Sequence, residues 1–282
     1  MADITALNNT ASQIRRDILR MVHACKSGHP GGSLGCADFV TALYFQIMEH
    51  NPAFKMDGKN EDVFFLSNGH ISPLFYSALA RSGYFPVSEL ATFRKLNSRL
   101  QGHPATAEHL PGIRVASGSL GQGISVAVGT ALSKRINGDN KIVYALMGDG
   151  EIEEGQCWEA FMFAAHQKVD NLIVTIDANG QQIDGSTMNV AGIGATDIEA
   201  KLKAFGWDIL HMNGHDMQNI LEVMADAKSR VGKGKPIFIV MKTEMGYPVD
   251  FMMGSHKWHG VSPNDAELAN ALSQLTSTLG DY

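Results

Sequence analysis

An aspartate between two glycines, Gly148-Asp149-Gly150, follows the apolar run Lys141–Met147 and precedes a helix-forming stretch. Glycines permit a sharp turn and bring backbone N–H groups close to an anion. The aspartate repels phosphate, so its chemistry is to hold a hard cation that bridges to phosphate. Mg²⁺ takes carboxylate, amide and carbonyl oxygens, and phosphate oxygens complete its shell. Asn179 stands thirty positions after Asp149, beyond the next apolar run, Asn171–Asp177. A helix and a strand fit in that interval, so both residues can reach one edge of a sheet, with the carbonyl of Gln181 as a further ligand. GDG alone is turn chemistry. The order strand, GDG, helix, strand, Asn is what a metal–diphosphate site requires.

Four histidines lie in glycine-flanked loops: His29 in SGHPGG, His70 in SNGH, His103 in QGHP and His256 in GSH. Imidazole moves protons near neutral pH and donates hydrogen bonds to hydroxyls, so this set predicts a polar pocket. His23, His50, His109, His166 and His211 lack the setting and read as structural or surface residues. His259, in HKWHG, suggests a metal pair without a third ligand. Gly118-Ser119-Leu120-Gly121-Gln122-Gly123 opens a helix with its glycines in the wrong order for a dinucleotide fingerprint. It is either a tight turn for helix packing or a loop whose backbone meets a cofactor. Gly31–Gly35 matches GxSxG, but that elbow needs a preceding strand. A helix and His-Pro precede it here, which excludes a serine hydrolase.

These groups need a scaffold with strand ends at one edge. Apolar runs at 63–66, 141–147, 171–177, 207–212 and 236–243 alternate with helical stretches at about 71–82, 120–136, 156–168, 197–204 and 216–231. Further helices are predicted at about 14–25, 37–48 and 263–279, with GHPGGS as a loop. Nearly continuous apolar strands alternating with helices predict an α/β fold: a three-layer parallel sheet with helices on both faces. Ligands in such sheets sit beyond the carboxyl ends of the strands, where the glycine, histidine and acidic motifs fall.

The 282 residues allow one large domain or two small ones. The net charge of −6 argues against gripping nucleic acid by bulk charge. No apolar run reaches the ~18 residues of a membrane span, and the N-terminus lacks the pattern of a signal peptide. Cys25, Cys36 and Cys157 make no disulfide framework. A cytoplasmic protein is expected.

The segments SGHPGGSLG (27–35), FFLSNGH (64–70), QGHP (101–104), GSLGQG (118–123), GDGEIEEG (148–155), IDANGQQIDG (176–185), MGYP (245–248) and GSHKWHG (254–260) together resemble the N-terminal, diphosphate-binding part of transketolase, in family order over nearly the whole chain. The resemblance implies a thiamine diphosphate-binding fold with Mg²⁺ or Ca²⁺ held by Asp149, Asn179 and the Gln181 carbonyl. It places Gly150 and His70 at the diphosphate side. Gly118, Ser119 and Leu120 line the thiamine site, and Ile183 and Met245 lie near the thiazolium. His29, His103 and His256 face the ketose, with His256 also counted toward the cofactor. Glu154 and Glu159 fall where the family has acidic residues at the subunit interface, Glu154 also beside the cofactor.

The implied reaction passes a two-carbon ketol unit from a ketose phosphate to an aldose phosphate. The glutamate that activates the aminopyrimidine, and most basic residues for the sugar phosphate, are not found in this sequence. Residues 1–282 are therefore expected to be a single diphosphate-binding domain. A separate C-terminal subunit would carry the pyrimidine-binding domain, in a heterotetramer by analogy. Ser119 stands where many members have proline, a form similar to split transketolases and to 1-deoxyxylulose-5-phosphate synthases. Such a synthase, a 2-oxo acid dehydrogenase component and a non-catalytic cofactor-binding subunit remain alternative readings.

Overall fold

In the computed structural model, which describes residues 3–282, Asp3 caps the first helix, α1 (Ile4–Cys25), by accepting the Ala6 N–H at 3.0 Å. The helix starts well before residue 14 because Leu7 and Ala11 extend the buried stripe of Ile14, Ile18, Met21 and Val22. The expected GHPGGS loop is instead mostly helical. Pro30 opens α2 (Pro30–Gly35), where its missing N–H costs nothing. The glycines there serve close packing, since a Cβ on Gly31 would lie 2.5 Å from Met245 Cγ. α3 (Ala37–Ala42) then passes into a π-helical turn, Leu43–Ile47, so the helix expected over 37–48 changes hydrogen-bond register partway.

The rest alternates as expected. β1 (Val63–Leu66) is followed by α4 (Ser72–Arg81) and, after a long loop, by α5 (Gln122–Ile136). β2 (Val143–Gly148), α6 (Gly155–His166) and β3 (Leu172–Ala178) come next. A two-stranded hairpin, β4 (Gln181–Gln182) and β5 (Gly185–Ser186), leads through the single turn α7 (Thr187–Val190) to α8 (Ala195–Phe205). β6 (Asp208–Asn213), α9 (Met217–Arg230) and β7 (Ile237–Lys242) complete the sheet. α10 (Asp265–Ser273) is shorter than predicted. The chain beyond it runs back along α1, where the Arg16 guanidinium pairs with Asp281 at 2.7 Å.

All five long strands are parallel, in the order β1-β2-β3-β7-β6. Alternate strand residues feed two cores. Phe64, Leu66, Tyr144 and Leu146 pack with residues of α1, α3, α4 and α9. Val63, Phe65, Val143, Ala145 and Met147 pack with residues of α5, α6 and α8. The three-layer α/β architecture follows directly from strands buried on both faces. The register sets Gly148 beside Asp177, so the turns after β2 and β3 leave the sheet together. Among the described residues no helix is long and apolar enough to cross a membrane.

Candidate functional site

Asp149, at the end of β2, accepts the N–H of Gly150 at 2.9 Å and of Gly180 at 2.5 Å. Asn179 Oδ1 accepts the Gln181 N–H at 2.8 Å, and Asn179 Nδ2 donates to Asp177 Oδ2 at 2.8 Å. The Thr243 hydroxyl also donates to Asp177, which is buried. Burial, then the neighbouring Asp177, pushes the Asp149 carboxyl up to about 7, although Gly180 and Gly150 donate to it. Burial raises Asp177 as well. Two enclosed carboxylates stand side by side, a costly arrangement that a bound cation would relieve.

Across the same cavity lies a histidine cluster. His29 has ring centroids 5.1 Å from His70, 6.3 Å from His103 and 5.6 Å from His259, and His70 stacks on His259 at 5.1 Å. Burial holds His29 down to about 4, reinforced by His259, Arg94 and His103. Burial also lowers His70, His103 and His259. At neutral pH these rings are uncharged, so each carries one N–H donor and one acceptor nitrogen.

The cavity between the two groups holds about 420 Å³ and is lined by both, together with Gly118, Leu120, Gly150, Glu154, Gln181 and Ile183. Its carboxylates are Asp149, Glu151, Glu153, Glu154 and Asp177, and among the described residues no lysine or arginine lines it. A diphosphate entering such a wall needs a divalent cation with it. Among the described residues no three His, Cys, Asp or Glu side chains are grouped to hold a metal alone. The donor set Asp149, Asn179 and a backbone carbonyl is oxygen-rich and fits a hard cation whose shell is finished by phosphate oxygens. Asn68 Oδ1, Gln182 Oε1 and Glu153 Oε1 are buried without hydrogen-bond partners on this wall, ready acceptors for a ligand's donors.

Three residues assigned from sequence do not line this cavity. His256 is exposed and does not line the cavity, whereas His259 does. Between them Trp258 is buried and donates its indole N–H to the Phe251 carbonyl at 2.9 Å. Met245 is buried against Gly31, behind the wall rather than on it. Ser119 is exposed and is not part of the lining, while Gly118 packs against His103. Ile183, 58% exposed, lies across the mouth. Glu159 is exposed on α6. Glu151, Glu153, Asn68 and Gln182 were not singled out from sequence. Glu151 and Glu153 carry a sequence signal, as acids within one turn of the GDG motif.

Residues 7–278 match the family described as transketolase, thiamine diphosphate binding domain. The chain is 36% identical over 272 residues to the 6-deoxy-6-sulfo-D-fructose transketolase subunit of Clostridium sp. (strain MSTE9), covering 95% of this chain and 96% of that one. It is 33% identical to an apulose-4-phosphate transketolase subunit of Actinobacillus succinogenes, over 95% of each. Transketolase 1 of Escherichia coli is 36% identical over 94% of this chain and 41% of its own length. Among solved structures, transketolase from Campylobacter jejuni superposes with a TM-score of 0.88 at 33% identity, covering 97% of this chain and 43% of that one. The chain thus spans nearly all of the relatives named as subunits and about two fifths of the longer transketolases.

Proposed function

Because the chain belongs to the transketolase family and carries its thiamine diphosphate-binding domain, we propose that it is one subunit of a split transketolase. With a partner chain it would move a two-carbon ketol unit from a ketose phosphate to an aldose phosphate. One observation carries this reading: a single cavity with a cation-seeking turn at one end and uncharged histidines at the other. The first end suits a metal-bound diphosphate. The second suits the hydroxyls of a sugar.

In this reading Asp149, Asn179 and the Gln181 carbonyl hold Mg²⁺ or Ca²⁺, and Gly150 and His70 face the diphosphate. Gly118, Leu120 and Ile183 flank the ring system, Glu154 sits at its edge, and Ser119 and Met245 shape the site from outside the lining. Thiamine diphosphate, when bound, supplies the electron sink for carbon–carbon cleavage. The chain's own contribution is proton and hydrogen-bond chemistry. His29, His103 and His259 orient the hydroxyls of the ketose and hold or release a proton at its carbonyl oxygen. Their neutral state lets the same ring donate in one step and accept in another.

The partner is proposed as a C-terminal subunit with the pyrimidine-binding domain, this chain being one diphosphate-binding domain. The relatives of matching length are themselves named as subunits. Supporting this, α5 and α6 expose Val126, Met162 and Phe163 to solvent, and Glu159 is exposed on α6 as well. Apolar residues of this size on neighbouring helices mark a contact surface. A heterotetramer with two sites is the assembly we infer. The three free cysteines suit a reducing cytoplasm.

The test is calorimetric titration of thiamine diphosphate with Mg²⁺, into the chain alone and into its mixture with the partner, followed by product analysis with a ketose phosphate and with pyruvate. Tight binding only in the mixture, with ketol transfer from the ketose phosphate, is expected. Pyruvate consumption instead would move the assignment to a synthase or 2-oxo acid enzyme.

A further inference from the structure

Glu151 lies two residues beyond Asp149, in the short 3₁₀ turn Gly150–Glu153, and is only 2% exposed. Its Oε1 accepts the Ser67 hydroxyl at 2.5 Å and the Gly121 N–H at 2.7 Å. Its Oε2 accepts the Gly148 N–H at 3.1 Å. The three donors belong to three separate segments. Ser67 follows β1 and leads to His70. Gly121 is the residue at which α5 begins. Gly148 ends β2.

These segments meet backbone against backbone. A Cβ on Gly69 would lie 2.2 Å from the Ser117 carbonyl oxygen, and one on Gly123 would lie 2.6 Å from Ser67 Oγ. Gly121, at φ +79°, bends the chain into α5 with Glu154 and Cys157 pressed against it. Contacts this close leave no room for apolar side chains to fasten the segments. The enclosed carboxylate does so instead, with three donors converging on it. It also sits at the N-terminus of α5, where unsatisfied N–H groups and the helix dipole favour an anion. That helix end is already supplied by the chain itself. A ligand's phosphates are left to the turn at Asp149 and its cation.

We propose that Glu151 is a positioning residue. It ties Ser67, Gly121 and Gly148 together and so sets His70, the Gly118–Leu120 loop and the Asp149 turn at their working separations before a ligand arrives. The proposal rests on reading this cavity as the cofactor site.

The experiment uses the complex of both subunits, with Glu151→Gln, Glu151→Ala and Ser67→Ala, and with Leu202→Ala as a core control remote from the cavity. Amide hydrogen exchange is followed at Gly121 and Gly148 without cofactor, and thiamine diphosphate with Mg²⁺ is titrated by calorimetry. Glutamine keeps an acceptor toward Ser67 and Gly121 but turns an amide donor toward the Gly148 N–H. Glu151→Gln should therefore speed exchange at Gly148 and spare Gly121, whereas Glu151→Ala should speed both. Cofactor affinity should fall about 10- to 100-fold in Glu151→Ala. Leu202→Ala should lower the melting temperature and change neither readout. Ser67→Ala, which keeps the charge, should leave both amides protected and is the variant to read if Glu151→Ala does not fold, alongside Glu151→Gln. Unchanged protection at Gly148 in Glu151→Gln, or affinity within about twofold of wild type in Glu151→Ala, overturns the proposal. If the wild-type complex binds no thiamine diphosphate, the functional reading fails, while the exchange pattern still reports whether the tie exists.

Discussion

The Asp149 carboxylate accepts the backbone N–H of Gly180 at 2.5 Å, joining the turn after β2 to the turn after β3. The bond places Asp149 next to Asn179 and beside the buried Asp177, so the candidate metal ligands are assembled by the protein's own hydrogen bonds. It also concentrates negative charge where water is excluded. With its carboxyl raised to about 7, Asp149 costs the ligand-free chain stability as pH rises from the ordinary carboxylate range through 7.

Asp149→Asn should separate binding from stability. The amide can still accept from Gly180 but removes the charge next to Asp177. We expect Mg²⁺-dependent thiamine diphosphate binding to fall at least 100-fold in calorimetry, by the measure of a lost metal ligand. The cofactor-free chain at pH 7.5 should melt a few degrees higher, a gain of about 1 kcal/mol. A lower melting temperature would show that Asp149 is compensated in the free chain.

Acid should unfold the chain through the histidine cluster. Unfolded histidines take up protons near pH 6.5, while His29, facing His70, His103, His259 and the Arg94 guanidinium, resists until about 4. The unfolded state binds more protons in that window, so this contribution is present above about 6.5 and lost as pH falls toward 4. Asp149 acts in the opposite sense over part of the range. Denaturant titrations at pH 6.5 and 4.5 should show a loss that His29→Gln reduces by about 1 to 2 kcal/mol. An identical loss in the variant would place the acid sensitivity elsewhere.

The two histidines of GSHKWHG should behave differently. His259 lines the cavity and His256 is exposed. Steady-state assays of the assembled enzyme should find His259→Ala slowed by about 100-fold, the scale of a lost acid–base or hydrogen-bonding group. His256→Ala should stay within about twofold. The reverse ranking would mean that the 256–259 turn rearranges when ligand binds.

Gly69→Ala should damage the site through packing alone. Its methyl would meet the Ser117 carbonyl oxygen at 2.2 Å, so the segment before His70 must shift. We expect a loss of about 1–3 kcal/mol in chemical unfolding together with weaker cofactor binding. Gly155→Ala, where a Cβ meets nothing within 4 Å, is the control and should change stability by less than about 0.5 kcal/mol.

Phe163→Asp should impair assembly and spare the fold. The ring is 48% exposed on α6. Sedimentation of the two-subunit mixture should show association weakened by about 30-fold or more, a loss of about 2 kcal/mol. The melting temperature of the chain alone should be unchanged. Normal assembly would remove this helix face from the interface.

Much of this protein is legible in its residue order because the signals are local. Apolar runs such as 143–148 and 172–178 mark strands buried on both faces, and Gly-Asp-Gly and Asn179 follow them at the positions where parallel strands deliver a ligand site. That pattern determined the α/β class, the sheet and the placing of Asp149 and Asn179 just beyond the ends of adjacent strands. Tertiary structure decided which side chains face the cavity. His256 and His259 share one motif, and only the folded chain distinguishes the exposed His256 from His259 on the cavity wall. Glycines 31 and 32 resemble a loop until Met245 and Ile71 pack against them and hold a helix. Glu151 resembles any surface acid until Ser67, Gly121 and Gly148 converge on it. Strand and turn preferences are set by neighbours in sequence. The direction and charge state of a side chain are set by groups that only folding brings within a few ångströms.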